Sequence, residues 1–376
     1  MKKTLSLGLI LLLGIANLYA GATNVRHGKF QVANNEYAKF AKSNLFYDGQ
    51  TRTFTFPSTQ YEVRKIFNES TSSSFNGTWD LFGWGTSKYK SVQPYETSTD
   101  ASKYASEVGA NVDIISTEFA DYDWGLYNKI SGDAATSFYC PTAAEWEYVL
   151  NGRPNAGKLR ALATFSIGGS PTGLLLFPDN WSTPLDLTIN TKNEDYTDNK
   201  ISLAQWQILE ACGAIFLPSG GQRIGQEWKN EPEGFYWTST SGTTSGTAKG
   251  VIMSKGKAPE VSDCNRAYGA NVRLFENHNY SCTTVKGEET VEDNTIEEYE
   301  WNGYKLTKSG NYTYTFLEVR PETDSIATLH LRMKDWTGID NVPTSKKSNV
   351  QKVVRDGQLY IIRDDKTYNV AGQEVK

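Results

Sequence analysis

The one long apolar run in this chain lies at its extreme N-terminus, residues 5–13. Later apolar stretches are short and punctuated. Leu174-Leu175-Leu176-Phe177 is stopped by Pro178, and Ala214-Ile215-Phe216-Leu217 by Pro218. Runs of that length fit buried strands and are too short to span a membrane, which excludes a polytopic membrane protein. Something other than long aliphatic segments must fill the core. Rings are available in quantity: 10 Trp, 21 Tyr and 16 Phe, in a chain only 38% hydrophobic. Disordered chains are poor in aromatics, so a wholly disordered chain is excluded too. Large rings are expected to supply much of the core and part of any binding surface. A net charge of −5 gives no bulk basic surface, so nucleic acid is not an expected partner.

Met1-Lys2-Lys3, the apolar run and the small residues of Leu18-Tyr19-Ala20-Gly21-Ala22 have the layout of a secretory signal peptide over residues 1–22. No transmembrane segment remains after its cleavage. Export to an oxidising compartment bears on Cys140, Cys212, Cys264 and Cys282, an even set with three connectivities. Closeness in sequence favours Cys264–Cys282, leaving Cys140 with Cys212; the alternative is four free buried thiols. None sits in a C-x-x-C pair, so zinc and dithiol redox chemistry have little support.

A chain of 376 residues has room for two or three domains. Residues 23–282 read as one aromatic, Gly-rich domain. An acidic linker follows over 283–298, then an antiparallel β module over 299–334, a polar linker over 335–349 and a C-terminal β tail over 350–376. Two helix starts stand out in the first domain. Thr142-Ala143-Ala144-Glu145 and Ser202-Leu203-Ala204-Gln205 are capping boxes, with Gly152 and Gly213 placed to stop each helix. Residues 235–238 and 250–254 read as strands around a Ser/Thr/Gly loop. Trp301-Asn302-Gly303-Tyr304 is a hairpin signal, residues 312–316 alternate at the strand period, and 325–332 supply a further strand. Further turns are expected at Asp356-Gly357 and Asp364-Asp365.

Catalytic patterns are sparse. His27, His278 and His330 are scattered without H-E-x-x-H spacing, and Gly168-Gly169-Ser170-Pro171-Thr172 is no nucleophile elbow. Ser219-Gly220-Gly221-Gln222-Arg223 lacks the Lys-Ser/Thr of a phosphate loop and reads as a tight turn. Asp121/Asp123 and Glu145/Glu147 are spaced by two, so neither pair shares a helix face. Gln93-Pro94-Tyr95 and Glu231-Pro232-Glu233 come no nearer to a calcium-lectin signature, so structural calcium has no motif behind it and no cofactor is expected. Trp84, Tyr89, Trp181 and Trp237 border Gly/Ser/Thr- or Pro-rich loops and are the candidate ligand-contact residues.

Several stretches carry a resemblance. They are Trp79-Asp80-Leu81-Phe82-Gly83-Trp84-Gly85-Thr86-Ser87, Asp123-Trp124-Gly125-Leu126-Tyr127-Asn128, Cys140-Pro141-Thr142-Ala143-Ala144-Glu145-Trp146-Glu147-Tyr148, Gly234-Phe235-Tyr236-Trp237-Thr238-Ser239 and Tyr268-Gly269-Ala270-Asn271-Val272-Arg273-Leu274. Together with residues 213–218 they resemble a family of secreted bacterial proteins related to sulfatase-modifying factors, the formylglycine-generating-enzyme branch of the C-type-lectin-like fold. The resemblance covers roughly residues 28–275. It implies an α+β class: an irregular lectin-like domain with a small twisted sheet and two or more short helices. A small all-β module and a C-terminal β-hairpin tail would follow. Residues 290–333 look like a surface-protein β-repeat, Asp324-Ser325-Ile326 is similar to a bacterial O-glycosylation acceptor, and the tail is similar to a type IX sorting domain.

The function implied is a non-enzymatic binding or adhesion protein, secreted or held on the outer surface of a Gram-negative bacterium through its tail. Its partner would be an extracellular glycan or protein ligand. One alternative is a copper-dependent formylglycine-generating-type oxidase using Cys264; another is a structural surface-display subunit. Trp181 lies outside the strongest shared stretches, which makes it a better binding suspect than Trp79, Trp124 or Trp146.

Overall fold

The computed structural model describes residues 22–63, 76–320, 322–336, 350–355, 358–363, 366–369 and 374–375. Almost all of the expected signal peptide, most of the 335–349 linker and the turns expected at Asp356-Gly357 and Asp364-Asp365 lie outside the described residues. Two compact units emerge. One takes in the chain up to Thr290 together with Gly310–His330; the other takes in Val291–Ser309 and the chain from Leu331 onward.

The expected α+β, lectin-like class is corrected. Strands make up 39% of the chain and helices 12%, with a β-solenoid-like arrangement of about four turns. The physical reason is that helix is confined to a few short segments. Helix α1 (Trp124–Tyr127) has four residues, α2 (Ala143–Glu147) five, continued by a π-helical turn over Tyr148–Gly152, and α3 (Leu203–Ala211) nine. Both sequence-read capping boxes form, with Thr142 and Ser202 accepting from the backbone of Glu145 and Gln205 while those side chains reach back. At the far end of α3, Gly213 takes φ +95° and donates to the Glu210 carbonyl at 3.0 Å, and Ala214 donates to Leu209 at 3.0 Å. That is the paired 5→2 and 6→1 closure of a Schellman motif, in which a left-handed glycine ends the helix at once.

The chain leaving α3 becomes strand Ile215–Pro218, which pairs antiparallel with Thr172–Leu176; that strand pairs with Arg160–Phe165. The two Pro-stopped apolar runs are thus neighbouring buried strands of one sheet. A second sheet runs in the order Val25–Ala33, Glu36–Ala41, Phe275–Glu276, Phe138–Tyr139. A third joins Gly234–Ser241, Thr247–Met253 and Glu260–Asn265. The hairpin Gly310–Arg320 and Thr323–Arg332 forms a further sheet with Thr283–Glu292 on the Thr323–Arg332 side.

Rings fill the space between these sheets. One cluster gathers Trp79, Trp84, Trp124 and Trp237, a second Trp146 with Phe30, Phe40 and Phe275, and a third Trp206 with Phe165 and Phe216. Edge-on and tilted pairs such as Phe40–Phe275 at 4.6 Å dominate, as ring quadrupoles favour.

In the second unit, Tyr299–Trp301 pairs with Tyr304–Leu306, Trp301 opposite Tyr304. Asn302 and Gly303 both take positive φ, 51° and 79°, as a two-residue primed turn requires. The tail is a sequential antiparallel meander of Val350–Arg355, Gln358–Arg363, Lys366–Asn369 and Glu374–Val375, four strands rather than a single hairpin.

Candidate functional site

Residues 178–185 leave the third aromatic cluster as irregular chain and form one wall of an open cleft of about 540 Å³. Trp181 dominates that wall. Its backbone N–H closes a turn on the Pro178 carbonyl at 3.1 Å, and its ring lies nearly flat on Phe177, centroids 4.3 Å apart and planes at 17°. Phe177 is fully buried at the end of its strand run, so it serves as a rigid platform. Trp181 itself is only half-buried, and among the described residues its indole N–H has no protein acceptor.

Asp179 fixes the base of the same wall. Its carboxylate accepts from the Gln31 backbone N–H at 2.7 Å and from Arg153 Nη1 at 3.3 Å, while its own N–H donates to the Lys29 carbonyl. Arg153 is buried, and burial lowers its pKa against the pull of Asp179. Its Nε and Nη2 donate to the Val149 and Leu159 carbonyls, which fixes the guanidinium in its own segment, so that its Nη1 bond to Asp179 ties the second wall, residues 153–159, to the first. That wall turns at Asn155 in the left-handed region, φ +60°, and presents Asn155 and Lys158 to solvent.

The third side is the hairpin Val25–Ala33 and Glu36–Ala41, where Gln31 and Tyr37 are register partners. Tyr37 is half-buried, and burial first, then the neighbouring Cys282 and Asp179, raise its pKa. Its phenol therefore stays neutral and can both donate and accept. The cleft thus combines one flat, rigid ring with a rim of phenol, amide, ammonium and carboxylate groups. Such a surface can stack on an apolar ligand face while exchanging hydrogen bonds with hydroxyls around it.

The four candidate contact residues do not converge. Trp84 and Trp237 are corrected from ligand platforms to core: they are 0% and 1% exposed. Each also spends its indole N–H internally, Trp84 on the Thr238 carbonyl at 2.9 Å and Trp237 on the Phe82 carbonyl at 2.6 Å. Arg266 covers Trp84 at 4.4 Å. Tyr89 is half-buried between the edges of Tyr122 and Tyr127. Only Trp181 lines the cleft. Gln31, Tyr37, Asn155, Lys158 and Asp179 were not singled out by sequence; the local signals were turn residues, Asn34-Asn35 before Tyr37 and Pro154-Asn155 before Lys158.

The cysteines are corrected from two disulfides to four unpaired thiols in this structure, Cys140 and Cys212 buried, Cys264 and Cys282 half-buried. Burial raises all four. Cys140 goes well up, with Asp123 adding to the effect, and Cys212 reaches about 11. Cys264, on strand Glu260–Asn265, is also pushed to about 11 by burial and then by Asp263 and Glu260. That environment opposes the thiolate a metal-bound or nucleophilic cysteine needs. Glu231-Pro232-Glu233 lines a separate cleft of about 400 Å³ together with Lys255 and Lys257. Among the described residues, no group of three or more His, Cys, Asp or Glu side chains is arranged to hold a metal ion.

Comparison with models of protein families, with curated proteins and with solved structures gives no match to this chain. The functional reading therefore stands on the geometry of the cleft and on the residues themselves.

Proposed function

We propose that this is an exported, non-catalytic carbohydrate-binding protein whose ligand lies in the Trp181 cleft. The observation that carries the reading is Trp181 laid flat on buried Phe177 inside an open, polar-rimmed cleft. A sugar ring has an apolar face of CH groups and an equator of hydroxyls, and the site offers a partner for each. The aromatic platform is pre-organised by its stack on Phe177, so little side-chain entropy is lost on binding. Lys158 gives the rim a cation and Asp179 a carboxylate, an arrangement suited to hydroxyl-rich or singly charged saccharides. The signal-peptide layout of residues 1–22 supports export, and the C-terminal meander is the segment proposed to hold the protein at the outer surface.

The test is a glycan array on the mature protein, followed by calorimetry of the strongest hit with wild type, Trp181→Ala and Tyr37→Phe. Losses of at least tenfold for Trp181→Ala and a few-fold for Tyr37→Phe are expected. An unchanged affinity in Trp181→Ala, or no glycan bound by wild type, would overturn the reading. For the tail, a reporter fused to residues 347–376 should reach the cell surface; localisation equal to that of an untailed reporter would reject that role.

A further inference from the structure

The cleft wall that carries Trp181 has no secondary structure of its own, so something else must hold its shape. Four of its hydrogen bonds lead to one place. Asn180, between Asp179 and Trp181, donates through Nδ2 to the Asp324 carboxylate at 2.8 Å. Ser182 bonds Thr313 side chain to side chain at 2.9 Å, and Thr313 Oγ1 donates to the Thr183 carbonyl at 2.8 Å. Leu185 N–H donates to the Thr313 carbonyl at 2.8 Å. Asp324 and Thr313 belong to the hairpin Gly310–Arg320 and Thr323–Arg332, more than a hundred residues downstream.

Asp324 is built as an anchor. Its carboxylate is fully buried and also accepts from Lys29 Nζ at 2.9 Å and from the Glu318 backbone N–H at 2.8 Å. Lys29 is equally buried, and its carbonyl receives the Asp179 N–H. One ion pair therefore ties together the downstream hairpin, strand Val25–Ala33 and the Trp181 wall. A buried pair confers little net stability over apolar side chains of the same size, so energetics alone do not account for it. Orientation does: an ionised, hydrogen-bonded pair fixes its neighbours in one geometry.

We infer that Asp324 is a positioning residue for the Trp181 cleft, acting through Asn180, and that the hairpin Gly310–Arg320 and Thr323–Arg332 holds the cleft wall in place without lining the cleft itself. This inference rests on the reading of the cleft as a saccharide site, but its central claim concerns the wall and can be measured without ligand. It also gives Asp324, within the Asp324-Ser325-Ile326 motif, a use that leaves its carboxylate unavailable to solvent.

The experiment compares wild type, the double variant Lys29→Met/Asp324→Leu and Asn180→Ala by thermal unfolding, residue-resolved amide hydrogen exchange and calorimetry with the array hit. The double variant replaces the ion pair with apolar side chains and is expected to keep its Tm within about 5 °C. Asn180→Ala cuts the link and leaves the pair intact, so it decides the question even if the double variant does not fold. In both, the amides of Asp179, Trp181 and Leu185 should exchange at least tenfold faster, while those of strand Thr172–Leu176 stay unchanged. Affinity for the glycan should fall by a similar factor. Unchanged exchange at the three wall amides, or faster exchange spread evenly over the strands, would overturn the positioning role. If wild type binds no glycan while the wall amides respond as described, the saccharide reading falls and the clamp stands.

Discussion

Asp123 offers the sharpest test of how this aromatic core treats charge. It caps α1, accepting from Gly125 and Leu126 through Oδ1 at 2.8 and 2.9 Å and from Cys140 through Oδ2 at 2.9 Å. It is also fully buried beside Trp124. Burial favours the neutral acid and the three N–H donors favour the anion; burial prevails, and the carboxyl is raised from 3.8 to about 6. An acid raised in this way holds its proton more tightly when folded. The associated stability is complete below pH 3.8 and is lost as pH rises through about 6. At about 1.4 kcal/mol per pH unit the loss is roughly 3 kcal/mol.

Asp123→Asn removes the titration. Its Oδ1 can still cap α1, but Nδ2 would face the Cys140 N–H, donor against donor, which costs about 1–2 kcal/mol. The variant should therefore be less stable than wild type by about 1–2 kcal/mol at pH 4, and more stable by roughly 1–2 kcal/mol at pH 7.5. Urea unfolding followed by tryptophan fluorescence at half-unit pH steps measures both proteins. Groups that titrate alike in the two cancel in the difference, so the change of sign belongs to Asp123. A difference that stays constant from pH 4 to 7.5 would show that the three N–H bonds offset burial completely, and the reasoning would fail.

Glu318 works at lower pH and with the opposite sign. Burial pushes it up, but His27, bonded at 2.5 Å, and Lys39 pull harder and bring it to about 2, so its stabilisation holds above 4.5 and fades as pH falls toward 2. Glu318→Gln should flatten the acid limb of an unfolding curve followed by circular dichroism, by no more than about 1 kcal/mol since the pair stays partly solvated; an unaltered limb would contradict this. Gly28→Ala should lower stability by about 1–3 kcal/mol, because the new Cβ would lie 2.3 Å from the Gly213 carbonyl oxygen, rigid backbone at the helix stop. A neutral effect on Tm would mean that the two backbones can part. Trp84→Ala and Trp237→Ala should each cost about 3–5 kcal/mol in urea unfolding. Trp181→Ala should cost about 1 kcal/mol, only part of its surface being buried; comparable losses at all three would place Trp181 in the core.

What the sequence made legible was local chemistry. Thr142/Glu145 and Ser202/Gln205 announce helix starts because their hydrogen bonds close within three residues. Gly213 announces a stop because only a left-handed residue closes that turn cheaply. Asn302-Gly303 is of the same kind. Gly152 likewise marks the end of the π-helical turn that continues α2; what local chemistry does not show is how much of the remaining chain pairs as strand. The sheets depend on pairings such as Leu174 with Leu217, 43 residues apart, which short apolar runs permit without specifying.

The candidate site shows the same division. Trp84, Trp181 and Trp237 all border Gly-, Ser- or Pro-rich chain, and composition cannot separate them. What separates them is where each indole N–H goes. Trp84 and Trp237 spend theirs on the carbonyls of Thr238 and Phe82, each locking the other's neighbourhood in place. Trp181 has its ring held from behind by Phe177 and its N–H uncommitted among the described residues. A tryptophan satisfied on all sides contributes burial and nothing to recognition, whereas one fixed on a single face leaves its other side for a ligand. That asymmetry comes from the wall 179–185, and the wall is shaped by a buried carboxylate far along the chain. A cleft lined from three segments, residues 31–37, 154–159 and 179–183, with its wall tied to Thr313 and Asp324, leaves no contiguous motif to read, because its geometry comes from the meeting of distant segments.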